Sequence, residues 1–148
     1  MTHPTWLVWA IDDLEDNLEM VRNSLLPEFS AWLRVEGFLC PETALRELGE
    51  RRARAADLPH VILMDFFLGK AYGSEVTREI RVLFAPEPGP VIIGHSSAPS
   101  ASRAIVEAGG DFIVPKRREA VSFALREVFG DPERVAEMLR MRRNSQEE

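Results

Sequence analysis

The sequence predicts an α/β protein: a doubly wound, five-stranded parallel sheet in a three-layer (βα)5 sandwich, with an extra C-terminal helix. Three observations carry this. Five short segments rich in β-branched and aromatic residues recur along the 148 residues, and helix-length stretches separate them. Runs such as Val61-Ile62-Leu63-Met64 are apolar without alternation, as a strand covered on both faces requires.

The strand-like segments are Trp6 to Ile11, Ala31 to Glu36, Val61 to Asp65, Val91 to His95 and Asp111 to Pro115. The first helix carries Leu14, Leu18, Val21 and Leu25 on one apolar face. The second runs from Pro41, suited to a first turn, to Arg52. The third spans Ser74 to Phe84, the fourth Pro99 to Ala108 before Gly109 and Gly110, and the fifth Glu119 to Phe129 before Gly130. Asp131, Pro132 and Glu133 read as the cap and first turn of a sixth helix reaching Arg143, with Val135, Met138 and Leu139 on one side. A frayed end is expected from Asn144 to Glu148.

With 45% hydrophobic and 28% charged residues the chain is of globular composition, and its length suits one domain. A net charge of -6 repels phosphate backbones, and Arg51, Arg52 and Arg54 read as a solvated helix end, so no nucleic-acid partner is expected. The single Cys40 excludes an intrachain disulfide and a cysteine-rich metal site. No apolar run approaches the ~18 residues of a membrane span, and the first residues lack a signal-peptide pattern. A cytoplasmic protein with no membrane partner is expected.

In open α/β sheets the functional crevice lies at the carboxyl ends of the strands. Asp12 and Asp13 end the first strand, Asp65 the third, Ser96 follows the fourth and Lys116 the fifth. Three carboxylates converging there repel one another unless a cation sits among them, and a small set of hard oxygen donors selects Mg2+. A hydroxyl from Ser96 and the Lys116 ammonium would hold phosphate oxygens, placing Asp65 to attack phosphorus and form an aspartyl phosphate. His95 reads as a packed or rim histidine, since His3 and His60 show no metal spacing with it. Trp6, Trp9, Trp32, Phe38, Phe66 and Phe67 read as packing residues, with Phe67 and Tyr72 near the acidic loop.

Ile11-Asp12-Asp13-Leu14-Glu15-Asp16-Asn17 after the first strand, Met64-Asp65 after the third and Lys116 after the fifth resemble the receiver domain of two-component response regulators. The resemblance covers roughly residues 6 to 129, and Gly73 and Ala108-Gly109-Gly110 fall in the family's pattern. It implies a flavodoxin-like fold, with a receiver-like domain at 1-130 and a helical tail at 131-148. It implies Asp13 as the main Mg2+ ligand, with Asp12, Asp65 and the backbone carbonyl of Phe67 assisting, and Lys116 on the phosphoryl group. The partners it implies are a histidine kinase or phosphotransfer protein and a downstream protein target, with a homodimer as one candidate assembly.

The chain departs from the pattern at four places. Gly69 stands where the family has a proline, which loosens that loop. Arg117 replaces the proline after the lysine, and Ile113, with Phe112 before it, stands at the family's switch aromatic. Counted from Pro90 the family's hydroxyl aligns with His95; Ser96 is the favoured hydroxyl and Ser97 the second choice. Two other functions are weighed. One is a receiver-like adaptor that binds partners without phosphorylation. The other is a haloacid dehalogenase-type magnesium phosphatase, whose Asp-x-Asp spacing Asp12-Asp13 lacks.

Overall fold

A computed structural model describes residues 5–116 and 121–147, with the backbone alone for 121–123 and 143–147. His3, Arg117 and the expected start of the fifth helix at Glu119 lie outside the described residues. In chain order the elements are β1 (Trp6–Ile11), α1 (Glu15–Leu25), β2 (Leu33–Phe38), α2 (Pro41–Ala53), β3 (Val61–Met64), β4 (Phe67–Leu68) and β5 (Ala71–Tyr72). There follow α3 (Gly73–Phe84), β6 (Val91–Gly94), α4 (Pro99–Glu107), β7 (Phe112–Ile113), α5 (Val121–Phe129) and α6 (Pro132–Glu147). Among the described residues, no helix is long and apolar enough to cross a membrane.

The main sheet has the order β2-β1-β3-β6-β7, and every neighbouring pair is parallel. Its three central strands, β1, β3 and β6, are buried throughout because each faces a helical layer on both sides. Trp6, Val8 and Ala10 of β1, Val61 and Leu63 of β3, and Val91 and Ile93 of β6 pack with Leu18, Val21 and Leu25 of α1 and Leu125 and Phe129 of α5. The intervening residues, Leu7, Trp9, Ile11, Ile62, Met64 and Ile92, pack with α2, α3 and α4 through Leu48, Ile80 and Ile105. This is the doubly wound sandwich that the sequence predicts. Because the chain leaves β1 for β2 on one side and returns to β3 on the other, the strand order reverses between β1 and β3, and a crevice opens at their carboxyl ends.

Several elements differ from expectation. The second strand lies two residues later than Ala31 to Glu36, because the chain is still turning at Trp32 and Leu33, whose amides donate to the Phe29 carbonyl. Its far end extends to Phe38, which packs on Trp9 with ring centroids 4.3 Å apart. Leu14 does not join the apolar stripe: it precedes α1 and is exposed. In the last sheet strand only Phe112 and Ile113 pair, and α6 runs on through Glu147 rather than stopping at Arg143.

A hairpin absent from the sequence reading, β4 and β5, follows Asp65. Its two-residue turn is Gly69-Lys70, with Gly69 at φ +71. A two-residue hairpin turn with glycine first needs that backbone conformation, which glycine adopts without steric cost. Gly69 therefore holds a tight turn, contrary to the loosening expected of it. The hairpin closes through the Gly73 amide, which donates to the Phe66 carbonyl at 2.7 Å.

Helix α6 opens as expected, with Asp131 accepting from the Glu133 amide at 2.9 Å. Its Val135 is fully buried in the core beside α1 and α5. Farther along, Arg142 donates to the Gly89 and Pro88 carbonyls and lies 3.4 Å from the Asp111 carboxylate. Asp111 also pairs with Arg81 of α3 at 2.9 Å and accepts from the Ile92 amide.

Gly73, at the start of α3, matters through close approach. A Cβ there would lie 2.0 Å from the backbone oxygen of Asp65, so any side chain must push Asp65 aside. Gly73→Ala is expected to lower the unfolding free energy by about 2 kcal/mol or more. Gly49→Ala in α2, where a Cβ would meet nothing within 4 Å, is expected to be neutral or stabilising. Urea or thermal unfolding of the two variants checks both; equal stabilities would contradict the packing argument.

Candidate functional site

The ladders continue one residue past the strands. The Asp65 amide donates to the Ile11 carbonyl, and the His95 amide to the Met64 carbonyl. Extending the registers Ile11↔Met64 and Met64↔Gly94 sets Asp12 beside Asp65 and Asp65 beside His95. By alternation all three carry on the phase of Ala10, Leu63 and Ile93, the α1 and α5 side. Asp12, Asp65 and His95 are all buried.

Asp12, Asp13 and Asp65 each offer an oxygen within 4.8 Å of the others'. Asp13 is the exposed member. Asp12 is held by local donors: its Oδ1 accepts from the Leu14 amide and from Asn17 Nδ2, both at 3.1 Å. Asn17 had no assigned role in the sequence, although its place five residues after Asp12, on the first turn of α1, is the available signal. Lys116 reaches in from beyond β7, pairing with Asp12 Oδ2 and lying 3.5 Å from Asp65 Oδ1. Its buried ammonium offsets part of the negative charge gathered there. Three carboxylates against one ammonium still leave excess negative charge, which fits a divalent cation bound by oxygen donors.

Burial pushes the Asp65 carboxyl up to about 6, with a contribution from Asp12 and against the pull of Lys116 and of the Phe66 amide. His95 behaves oppositely: burial and the nearby Lys116 hold its imidazole down at about 3, against Asp12. It is neutral at ordinary pH. Among the described residues, its Nε2 is buried without a hydrogen-bond partner.

The favoured hydroxyl, Ser96, is one residue out of phase with His95. Its Oγ accepts from the Ala98 amide at 3.4 Å, and its own amide donates to Ser102 Oγ at 3.1 Å. It thereby forms the turn into α4. Ser97 is exposed. Both serines line a groove of about 510 Å³ with Ile113, Lys116 and Val128, so they flank the lysine while His95 adjoins Asp65. Phe67 sits in β4 opposite Tyr72, one residue beyond the hydrogen-bonded Phe66, so by alternation its carbonyl points out of the hairpin. Phe66, Phe67 and Tyr72 form an aromatic cluster, Phe66 stacking on Tyr72 at 5.2 Å.

No protein-family model and no curated protein matches the chain. Solved structures do. A phosphorylated cyanobacterial phytochrome response regulator, RcpA, aligns at TM-score 0.71 and 15% identity over 86% of this chain and 95% of its own. A CheY-like response regulator receiver domain protein from Methanospirillum hungatei aligns at TM-score 0.62 and 19% identity over 97% of both chains. The receiver domain of an Arabidopsis thaliana histidine kinase, complexed with Mg2+ and BeF3-, aligns at TM-score 0.64 and 22% identity over 85% of this chain and 91% of its own. The fold is that of response regulator receiver domains.

For Asp65 the sign of the pH dependence follows from its raised value. Without a bound cation the folded chain holds this proton more tightly than the unfolded chain, whose ordinary value is 3.8. The associated stability is complete below about 3.8 and is lost as pH rises through about 6. A carboxyl carbon NMR titration is expected to show a midpoint near 6, absent in Asp65→Asn and moved downward by a divalent cation. Across the same window, unfolding free energy should fall less steeply with pH in Asp65→Asn than in the wild type.

Proposed function

We propose that the chain is a phosphorylation switch. Asp65 accepts a phosphoryl group from a histidine kinase or phosphotransfer protein, Mg2+ binds at the acidic cluster, and output passes by protein contacts to a downstream partner. The observation that carries this reading is the convergence of Asp12, Asp13 and Asp65 with Lys116 at the crevice between β1 and β3. Similar folds described as phosphorylated or as complexed with Mg2+ and BeF3- support it.

A carboxylate oxygen of Asp65 bonds to phosphorus as the donor's P–N bond breaks. The bonding pair returns to the donor's imidazole nitrogen, which takes up a proton from solvent. Lys116 pairs with a phosphoryl oxygen, and the Asp12 carboxylate, fixed by Leu14 and Asn17, keeps its orientation. Asp13, Asp12, Asp65 and the outward carbonyl of Phe67 would hold Mg2+, which neutralises charge on the phosphoryl oxygens. The groove lined by Ser96, Ile113, Lys116 and Val128 adjoins the site and is the face through which the charge change reaches a partner. A phosphatase of the haloacid dehalogenase type is disfavoured, because it needs an Asp-x-Asp spacing after β1.

Incubation of the full chain with Mg2+ and acetyl phosphate is expected to add one phosphoryl group by intact mass, lost in Asp65→Asn. Lys116→Met should slow the gain about a hundredfold. A wild-type chain that binds no Mg2+ and gains no mass would sink the switch and favour the adaptor.

A further inference from the structure

We propose that His95 is the hydrogen-bond donor for a phosphoryl oxygen on Asp65, offering Nε2–H where a hydroxyl was expected. The inference deepens the phosphoacceptor reading and rests on it.

Four observations converge. The amide of His95 donates to the Met64 carbonyl at 2.8 Å, which carries the β3–β6 register to Asp65 and His95. Paired strands lie about 4.8 Å apart with side chains in phase, so the imidazole emerges next to the acceptor carboxylate and on the same side of the sheet. Lys116 pairs with Asp12 and lies 3.5 Å from Asp65 Oδ1, so the phosphoryl-binding cation stands on the same carboxyl edge. The His95 Nε2 is fully buried and, among the described residues, unpartnered, an arrangement that costs stability unless a ligand supplies the missing bond.

The competing hydroxyls are placed for other work. Ser96 is out of phase and serves the turn into α4 through Ala98 and Ser102, and Ser97 is exposed. An imidazole N–H donates as a hydroxyl does, from a ring whose direction is fixed by its strand. With the proton on Nε2, the oxygen of an arriving phosphoryl group satisfies the orphaned nitrogen.

The test uses the full chain with 15N-labelled histidine, Mg2+ and beryllofluoride. Fluorine NMR reports whether the fluoride complex forms on Asp65, independently of His95. The expected result is a complex in which the His95 Nε2–H signal shifts and is protected while the His60 signal stays in place. His95→Phe, which keeps ring volume and loses the donor, should bind beryllofluoride about tenfold more weakly, and His95→Gln, which keeps a donor, should recover most of that loss. A complex with no change at His95, equal affinities for Phe and Gln variants, or a larger loss in Ser96→Ala than in His95→Phe overturns the inference and leaves Asp65 as acceptor. No complex in a folded wild type overturns the acceptor reading itself, and the inference with it.

Discussion

Because β1, β3 and β6 pair in parallel without a bulge from their buried middles to Asp12, Asp65 and His95, one alternation governs both the core and the site. The phase that points Ala10, Leu63 and Ile93 into the layer beneath α1 and α5 also points the next residues out at the carboxyl edge, two positions on. A slip of one residue in any of these strands would bury the polar group against α2, α3 and α4 and expose a core side chain. The apolar packing is therefore what holds two carboxylates and an imidazole together, and it does so although the carboxylates repel.

That repulsion is met within the chain by Lys116, by the Leu14 amide and by Asn17. Asp65 has fewer such supports, and burial raises its carboxyl to about 6, so the two carboxylates adjacent in the ladder are held differently. The asymmetry suits the proposed division of labour, with Asp12 fixed in place and Asp65 as the proposed acceptor. Local geometry reinforces it, since the Asp65 backbone is pressed against Gly73 and the following hairpin closes back on Phe66.

Much of this was legible in the sequence. Val61 to Met64, Val91 to Gly94 and Trp6 to Ile11 announce buried parallel strands through unbroken apolar runs, and the residues after them mark the crevice. What the sequence could not carry was anything that depends on register or on very short elements. Two-residue strands such as β4 and β5 have no periodicity to detect, so Gly69 read as slack rather than as a turn. Gly73 showed that glycine was wanted there, but the cause, a carbonyl 2.0 Å from where its Cβ would sit, exists only once α3 is folded back. The second strand was displaced because Ala31 and Trp32 have strand-like character yet finish the loop from α1. His95 read as a packed or rim histidine, and it is packed; its phase relative to Asp65 is a property of paired strands that the sequence does not display.

At the opposite edge of the sheet, Asp111 gathers groups from distant parts of the chain: Arg81 from α3, Arg142 from α6 and the Ile92 amide at the start of β6. A half-buried carboxylate with two guanidinium partners cannot release one helix without weakening its hold on the others. With Val135 also locked in the core, the last helix does not behave as an appendage that frays independently. These contacts tie it to the strands, so it is expected to melt with them.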